Sequence, residues 1–97
     1  MSIEMKNRAD IEVIAAILRS AKDSWEYQTT IMNKACISHS QVLRYISVAM
    51  NRGLIEYSKI NGLYKTTKMG LEFLEKHAKL ITLFPEIAEP SSQSFYY

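Results

Sequence analysis

The chain has little of what holds small stapled proteins together. Cysteine occurs once, at Cys36, and histidine twice among 97 residues. An internal disulfide is therefore excluded, and a four-ligand zinc site would need carboxylates or a second chain. C-x-x-H spacing between Cys36 and His39 is half a metal site without its other half. Glycine occurs three times and proline twice, too few for a glycine-rich phosphate loop, and no serine stands in a nucleophile-elbow sequence. No apolar run approaches the ~18 to 20 residues that cross a bilayer. The opening M-S-I-E-M-K-N-R-A-D carries acidic residues where a signal peptide needs an apolar stretch. These absences predict a single intracellular domain that is not an enzyme and uses no metal, cofactor, membrane or evident small-molecule ligand.

What is present is ordinary in amount and uneven in placement. Apolar residues make up 47% and charged residues 23% of the chain, a composition that folds. The net charge of +2 hides an asymmetry. Residues 1–26 carry four basic and five acidic side chains. Segment 27–68 carries Lys34, Arg44, Arg52, Lys59, Lys65 and Lys68 against Glu56 alone, a net +5, and the remainder is −2. Phosphate-bearing partners are the natural match for the middle segment.

Periodicity divides the chain into elements. Asn7 followed by Asp10 reads as a helix start, and Ile11, Ile14, Ala15, Leu18 and Ala21 recur at helical spacing, with Val13 and Ile17 widening the stripe. A short extended piece fits around Trp25, and a second helix fits 27–35. Cys36 and Ile37 leave room only for a tight turn, in which Cys36 reads as a small buried apolar residue. Ser38 is placed to cap a third helix over 39–52, and Gly53 to end it in a left-handed conformation. On that helix Val42, Tyr45, Ile46, Ala49 and Met50 fall on the packed side; Ser40, Arg44, Ser47 and Asn51 fall opposite. Residues 54–60 and 63–66 then read as two strands joined at Asn61-Gly62, a two-residue hairpin signal. Thr67 caps a last helix over 68–84, which Pro85 stops. The domain is thus 7–84, and 85–97, with serines and a second proline, reads as a mobile tail.

Helix, short helix, tight turn, capped helix, hairpin and helix is the order of a winged helix-turn-helix: mainly α with one β-hairpin, a three-helix core, a wing and a C-terminal dimerisation helix. The segments I-M-N-K-A-C-I-S-H-S-Q-V (31–42), R-G-L-I-E-Y (52–57) and Y-K-T-T-K-M-G-L-E-F-L (64–74) resemble small archaeal winged-helix proteins regarded as transcriptional regulators. They are similar also to the related ten-kilodalton archaeal chromatin-type DNA-binding proteins. The resemblance implies that the third helix reads DNA, that the hairpin is the wing, and that the final helix pairs two chains. The chain departs from that pattern at Ser24-Trp25, where glycines are frequent, and at Gln28 and Thr30, where lysines are, at His39 in place of a tyrosine, and in a shorter final helix, which brings it nearer the regulator branch.

Within this frame Arg44, Ser40 and Ser47 are candidate readers of base edges, since an arginine fork matches the guanine acceptors. His39 and Gln41 stand at the start of the same helix. Lys59, Asn61 and Lys65 are candidate phosphate contacts on the wing. The competing readings are a solvated helix face and hairpin lysines that merely discourage edge pairing. Trp25, Tyr27, Tyr45, Tyr57 and Tyr64 read as core rather than as a stacking surface for bases. On the last helix Leu71, Leu74, Ala78 and Ile81 follow a two-helix seam and are expected to make a homodimer, while Phe73, Leu80, Leu83 and Phe84 form a second stripe; one stripe can cover the first helix and the other then needs a partner, the alternative being that both wrap one concave core. The expected partners are double-stranded DNA and a second copy, in a cytoplasmic, nucleoid-associated setting. A winged helix serving only protein contacts and an architectural chromatin protein are the alternatives.

Overall fold

A wide apolar stripe makes the first helix the centre of the molecule. The computed structural model describes residues 8–83, in the order α1 (Arg8–Ser20), α2 (Gln28–Ala35), α3 (His39–Asn51), β1 (Ile55–Ser58), β2 (Leu63–Thr66) and α4 (Lys68–Leu83). On α1, Ile14, Ala15, Ile17 and Leu18 are fully buried, as is Ala21 just beyond it. Such burial on more than one side requires several neighbours, and α1 packs on α2, α3, α4 and β2. Ile31 of α2, Val42, Tyr45, Ile46 and Ala49 of α3, and Leu54 and Ile55 complete the core.

The wing is an antiparallel pair with Ile55 opposite Thr66, Glu56 opposite Lys65, Tyr57 opposite Tyr64 and Ser58 opposite Leu63. Directly paired residues share a face, so Ile55, Tyr57, Tyr64 and Thr66 line one side and Glu56, Ser58, Leu63 and Lys65 the other. The expected extended piece near Trp25 is there: Glu26 exchanges two backbone hydrogen bonds of 2.8 Å with Tyr64. Thr66 is buried, and its hydroxyl donates to the Leu18 carbonyl at 2.7 Å, which ties the wing to α1.

Three expectations need correction. The hairpin turn is not the two residues Asn61-Gly62 but the four residues 59–62. Gly62 has φ +69°, but Asn61 does not enter the left-handed region that a two-residue turn would demand of it. The turn is closed instead by the Gly62 N–H donating to the Ser58 carbonyl at 2.8 Å. Cys36 is exposed. It occupies the left-handed position (φ 57°) that ends α2, where the chain reverses and the side chain leaves the core. The aromatic cluster divides: Tyr45 is buried, while Trp25, Tyr27 and Tyr57 are exposed, as is Met50 on the flank of α3.

The apolar residues of α4 divide between two surroundings. Leu74 packs on the core together with Phe73. His77, whose Nε2 lies 3.0 Å from a Glu12 carboxylate oxygen, extends that face along α1. Ile81 is half-buried on the same side, while Leu71 and Ala78 are exposed. The expected seam is therefore split, half of it serving the domain and half facing out. Leu80 and Leu83 of the second stripe are exposed. Residues 84–97, including Phe84 and the tail, and the Asn7 cap lie outside the described residues.

A polar contact joins the first and third helices. The Tyr45 hydroxyl donates to Asp10 Oδ1 at 2.5 Å. That bond first, and burial second, hold the Tyr45 phenol above its usual value of 10.0. Because the native state favours the protonated phenol, the contribution is complete below about pH 10 and is lost as pH rises through the native value. Tyr45→Phe is expected to cost about 1.5 kcal/mol near neutral pH, the low end for a hydrogen bond to a charged group. Urea melts should show this loss shrinking above pH 10, and a pH-independent difference would rule the account out.

Candidate nucleic-acid interface

The third helix is fixed at both ends by its own sequence. At its start the Ser38 hydroxyl accepts from the Gln41 N–H at 3.2 Å, and the Gln41 side-chain oxygen accepts from the Ser38 N–H at 3.0 Å. This is a reciprocal capping box. At its end Gly53, at φ +74°, donates its N–H to the Met50 carbonyl at 3.0 Å, and Leu54 donates to Ala49 at 2.9 Å. Those two bonds form a Schellman motif, which needs a left-handed residue at this position. A helix clamped at both ends presents its free face in one orientation.

Across from the buried Val42, Tyr45, Ile46 and Ala49, the exposed side chains are Ser40, Arg44, Ser47 and Asn51. The Arg44 guanidinium lies 5.4 Å from the centre of the Tyr45 ring, a cation–π contact. His39 is exposed at the first turn, and the Ser40 hydroxyl is 3.3 Å from that of Ser38. The Gln41 side-chain oxygen is engaged in the cap, which leaves its amide N–H groups as the part available to a partner. The S-x-x-Q spacing in the sequence is the signal for the cap.

The wing separates residues that the sequence grouped together. Lys59 and Asn61 sit in the turn at the tip, with Ile60 between them 96% exposed. The Asn61 side-chain oxygen accepts from the Ser58 hydroxyl, which braces the turn. Lys65 stands on the hairpin face opposite to Tyr64 and in register with Glu56, away from α3. Lys34 is 3.2 Å from Glu26. The Ser24 hydroxyl first, and Lys34 second, hold that carboxylate below its usual value. Arg44, Arg52, Lys59, Lys65 and Lys68 make no ion pair with a described residue. The positive charge of the middle segment is thus largely uncompensated within the described fold.

Between α2, α3 and the wing runs an open cleft of about 230 Å³ over Ile46, lined by Gln28, Leu43, Ser47, Met50, Asn51 and Tyr64. Apart from Ser47, these residues were not singled out as functional in the sequence. Leu43 and Met50 carry no signal apart from helical phase, and Gln28 and Tyr64 come from distant segments. Among the described residues no three of His, Cys, Asp and Glu gather into a metal site. No helix there is long and apolar enough to cross a membrane.

Comparison with solved structures finds the same architecture in a cysteine-to-serine mutant of ZitR from Lactococcus lactis, at a TM-score of 0.59 and 16% sequence identity. The alignment covers 98% of this chain and 66% of the ZitR chain, so the protein spans less than two thirds of that neighbour's length. No match is found among curated proteins. A family model described as winged helix-turn-helix matches residues 7–84. The chain therefore belongs to the winged helix-turn-helix family, with α2 and α3 as its helix pair and the β1–β2 hairpin as its wing.

Proposed function

We propose that the protein binds double-stranded DNA as a small transcriptional regulator, with α3 in the major groove and the tip of the wing along the neighbouring phosphates. The observation that carries this reading is the outer face of α3. It is clamped in orientation, lined by Ser40, Arg44, Ser47 and Asn51, and set in a segment of net charge +5 with Arg44 free of any ion pair among the described residues. Arg44 is assigned as a base reader, Ser40 and Ser47 as its neighbours at the base edges, and His39 and Lys59 as phosphate contacts. Asn61 shapes the turn that presents Lys59, and Lys65 is a weaker contact because of the face it occupies.

The protein acts as a homodimer paired through the exposed apolar side of α4, where Leu71 and Ala78 face outward and Leu74 and Ile81 lie at the edge of the domain core. Two α3 helices related by a two-fold axis would address half-sites about 34 Å apart, one helical turn, or a multiple of it. A cytoplasmic setting on the nucleoid follows from this reading.

The deciding experiment is a gel-shift titration of genomic duplex fragments against the wild type and Arg44→Ala. The variant is expected to lose ~1 to 3 kcal/mol on its preferred fragments and much less on random duplex. Melting should fall only by the small worth of the Tyr45 cation–π contact, because Arg44 otherwise lies on the solvent side of α3. An equal loss on both would make Arg44 a phosphate contact and favour an architectural chromatin protein. Absence of binding at low salt would remove the DNA reading and leave a module for protein contacts.

A further inference from the structure

Two large apolar side chains on α3 lie in water beside the polar reading face. Leu43 is 49% and Met50 41% exposed, both on the flank that turns toward Tyr64 of the wing. They are seven residues apart, two helical turns, which places them about 10.5 Å apart along the axis. The remaining groups of the cleft they line are neutral: the Gln28 and Asn51 amides, the Ser47 hydroxyl and the half-buried Tyr64. Neither Ser47 nor Asn51 hydrogen-bonds its side chain to a described residue. The cleft thus offers apolar contact and uncharged hydrogen-bonding groups, inside a positively charged segment with no compensating carboxylate in the cleft itself.

That combination has a specific counterpart in duplex DNA. The major-groove edge of an A·T pair presents the thymine methyl next to the adenine N6 and N7, which an asparagine amide matches. A G·C pair has no methyl to offer. From this we infer that the flank of α3 reads thymine methyl groups: Leu43 and Met50 each cover one, at positions about three base-pair steps apart given a rise of 3.4 Å, and Asn51 pairs with an adjacent adenine. The inference rests on the DNA-binding reading and adds to it the class of base pair recognised. The uncompensated positive segment argues for a polyanion as the occupant, and the spacing and chemistry of the cleft argue for the methyl-bearing groove edge.

The experiment uses a fluorescent 30-bp duplex selected by the full chain from a randomised pool, and the same duplex with deoxyuridine replacing every thymidine, which removes the methyls and keeps the pairing. Removing one well-covered methyl is expected to weaken binding about fourfold, and removing two about 16-fold. Leu43→Ala and Met50→Ala should each bind the thymidine duplex less well and the deoxyuridine duplex nearly as well as wild type, so that the ratio falls to about four. Arg44→Ala should weaken both duplexes and leave the ratio unchanged. Melting of each variant confirms that it is folded, and the wild-type ratio is a test that needs no variant. A wild-type ratio of one with firm binding overturns the methyl reading and leaves DNA binding standing. So does an equal loss on both duplexes in the Leu43 and Met50 variants, which would make those residues structural. If the pool yields no bound duplex, the DNA-binding reading falls and this inference with it.

Discussion

Gly70→Ala is expected to destabilise the fold by at least about 3 kcal/mol, at the upper end for overpacking, although alanine suits a helix better than glycine by about 1 kcal/mol. A Cβ at Gly70 would lie 2.1 Å from the Leu54 carbonyl oxygen, 2.6 Å from the Thr66 methyl carbon and 3.1 Å from the Leu54 carbonyl carbon. Two of these three atoms are backbone and cannot swing aside. The Leu54 carbonyl accepts from the Thr67 N–H at 3.0 Å, and the Leu54 N–H closes the end of α3 at 2.9 Å. The Thr67 hydroxyl in turn donates to the Gly53 carbonyl at 2.6 Å and accepts from the Gly70 N–H at 3.0 Å. Making room for one methyl group means lifting α4 off this junction and opening the end of α3. Thermal melting should fall by more than ~10 °C at 4 to 8 °C per kcal/mol. A melting temperature at or above wild type would show that the close approach is not required.

Gly70 also marks where sequence reasoning stops. In sequence it is a weak point inside a helical pattern, and only the fold shows that it is the surface on which α4 meets the turn after α3. Signals carried within a few residues were legible. Ser38 and Gly53 define α3, Thr67 opens α4, and the stripe on α1 announces several neighbours. Asn61-Gly62 signalled a reversal but not its length, because the conformation of Asn61 depends on the Ser58 contact and on strand register. The exposure of Leu43, Met50 and Cys36 has no local signature, since burial is decided by what packs alongside. On α4 the apolar stripe is wide enough to fit two faces. The choice between them is made by Glu12 meeting His77 and by the close approach at Gly70, both contacts between segments far apart in sequence.

Raising salt from 50 to 200 mM is expected to produce the largest change in DNA affinity, and its size counts chains as well as contacts. Each neutralised phosphate adds about 0.9 to the slope of log affinity against log salt; three contacts from one chain then cost about 40-fold, and six from two chains about 2000-fold. Arg44 and Lys59 are the cations proposed to meet DNA; like Arg52, Lys65 and Lys68 they form no ion pair with a described residue. Lys59→Ala is expected to lower the slope by about 0.9 in a one-chain complex and about 1.8 in a two-chain complex. Lys65→Ala should lower it less, because Lys65 lies across the hairpin from Tyr64 and opposite Glu56. Charged replacements at Leu71 and Ala78 leave the core-facing side of α4 untouched, so they should halve the wild-type slope if α4 pairs the chains on DNA. Light scattering read beside the slope separates the cases. A monomer whose slope matches one chain refutes the dimer, and a slope near zero refutes the phosphate contacts altogether.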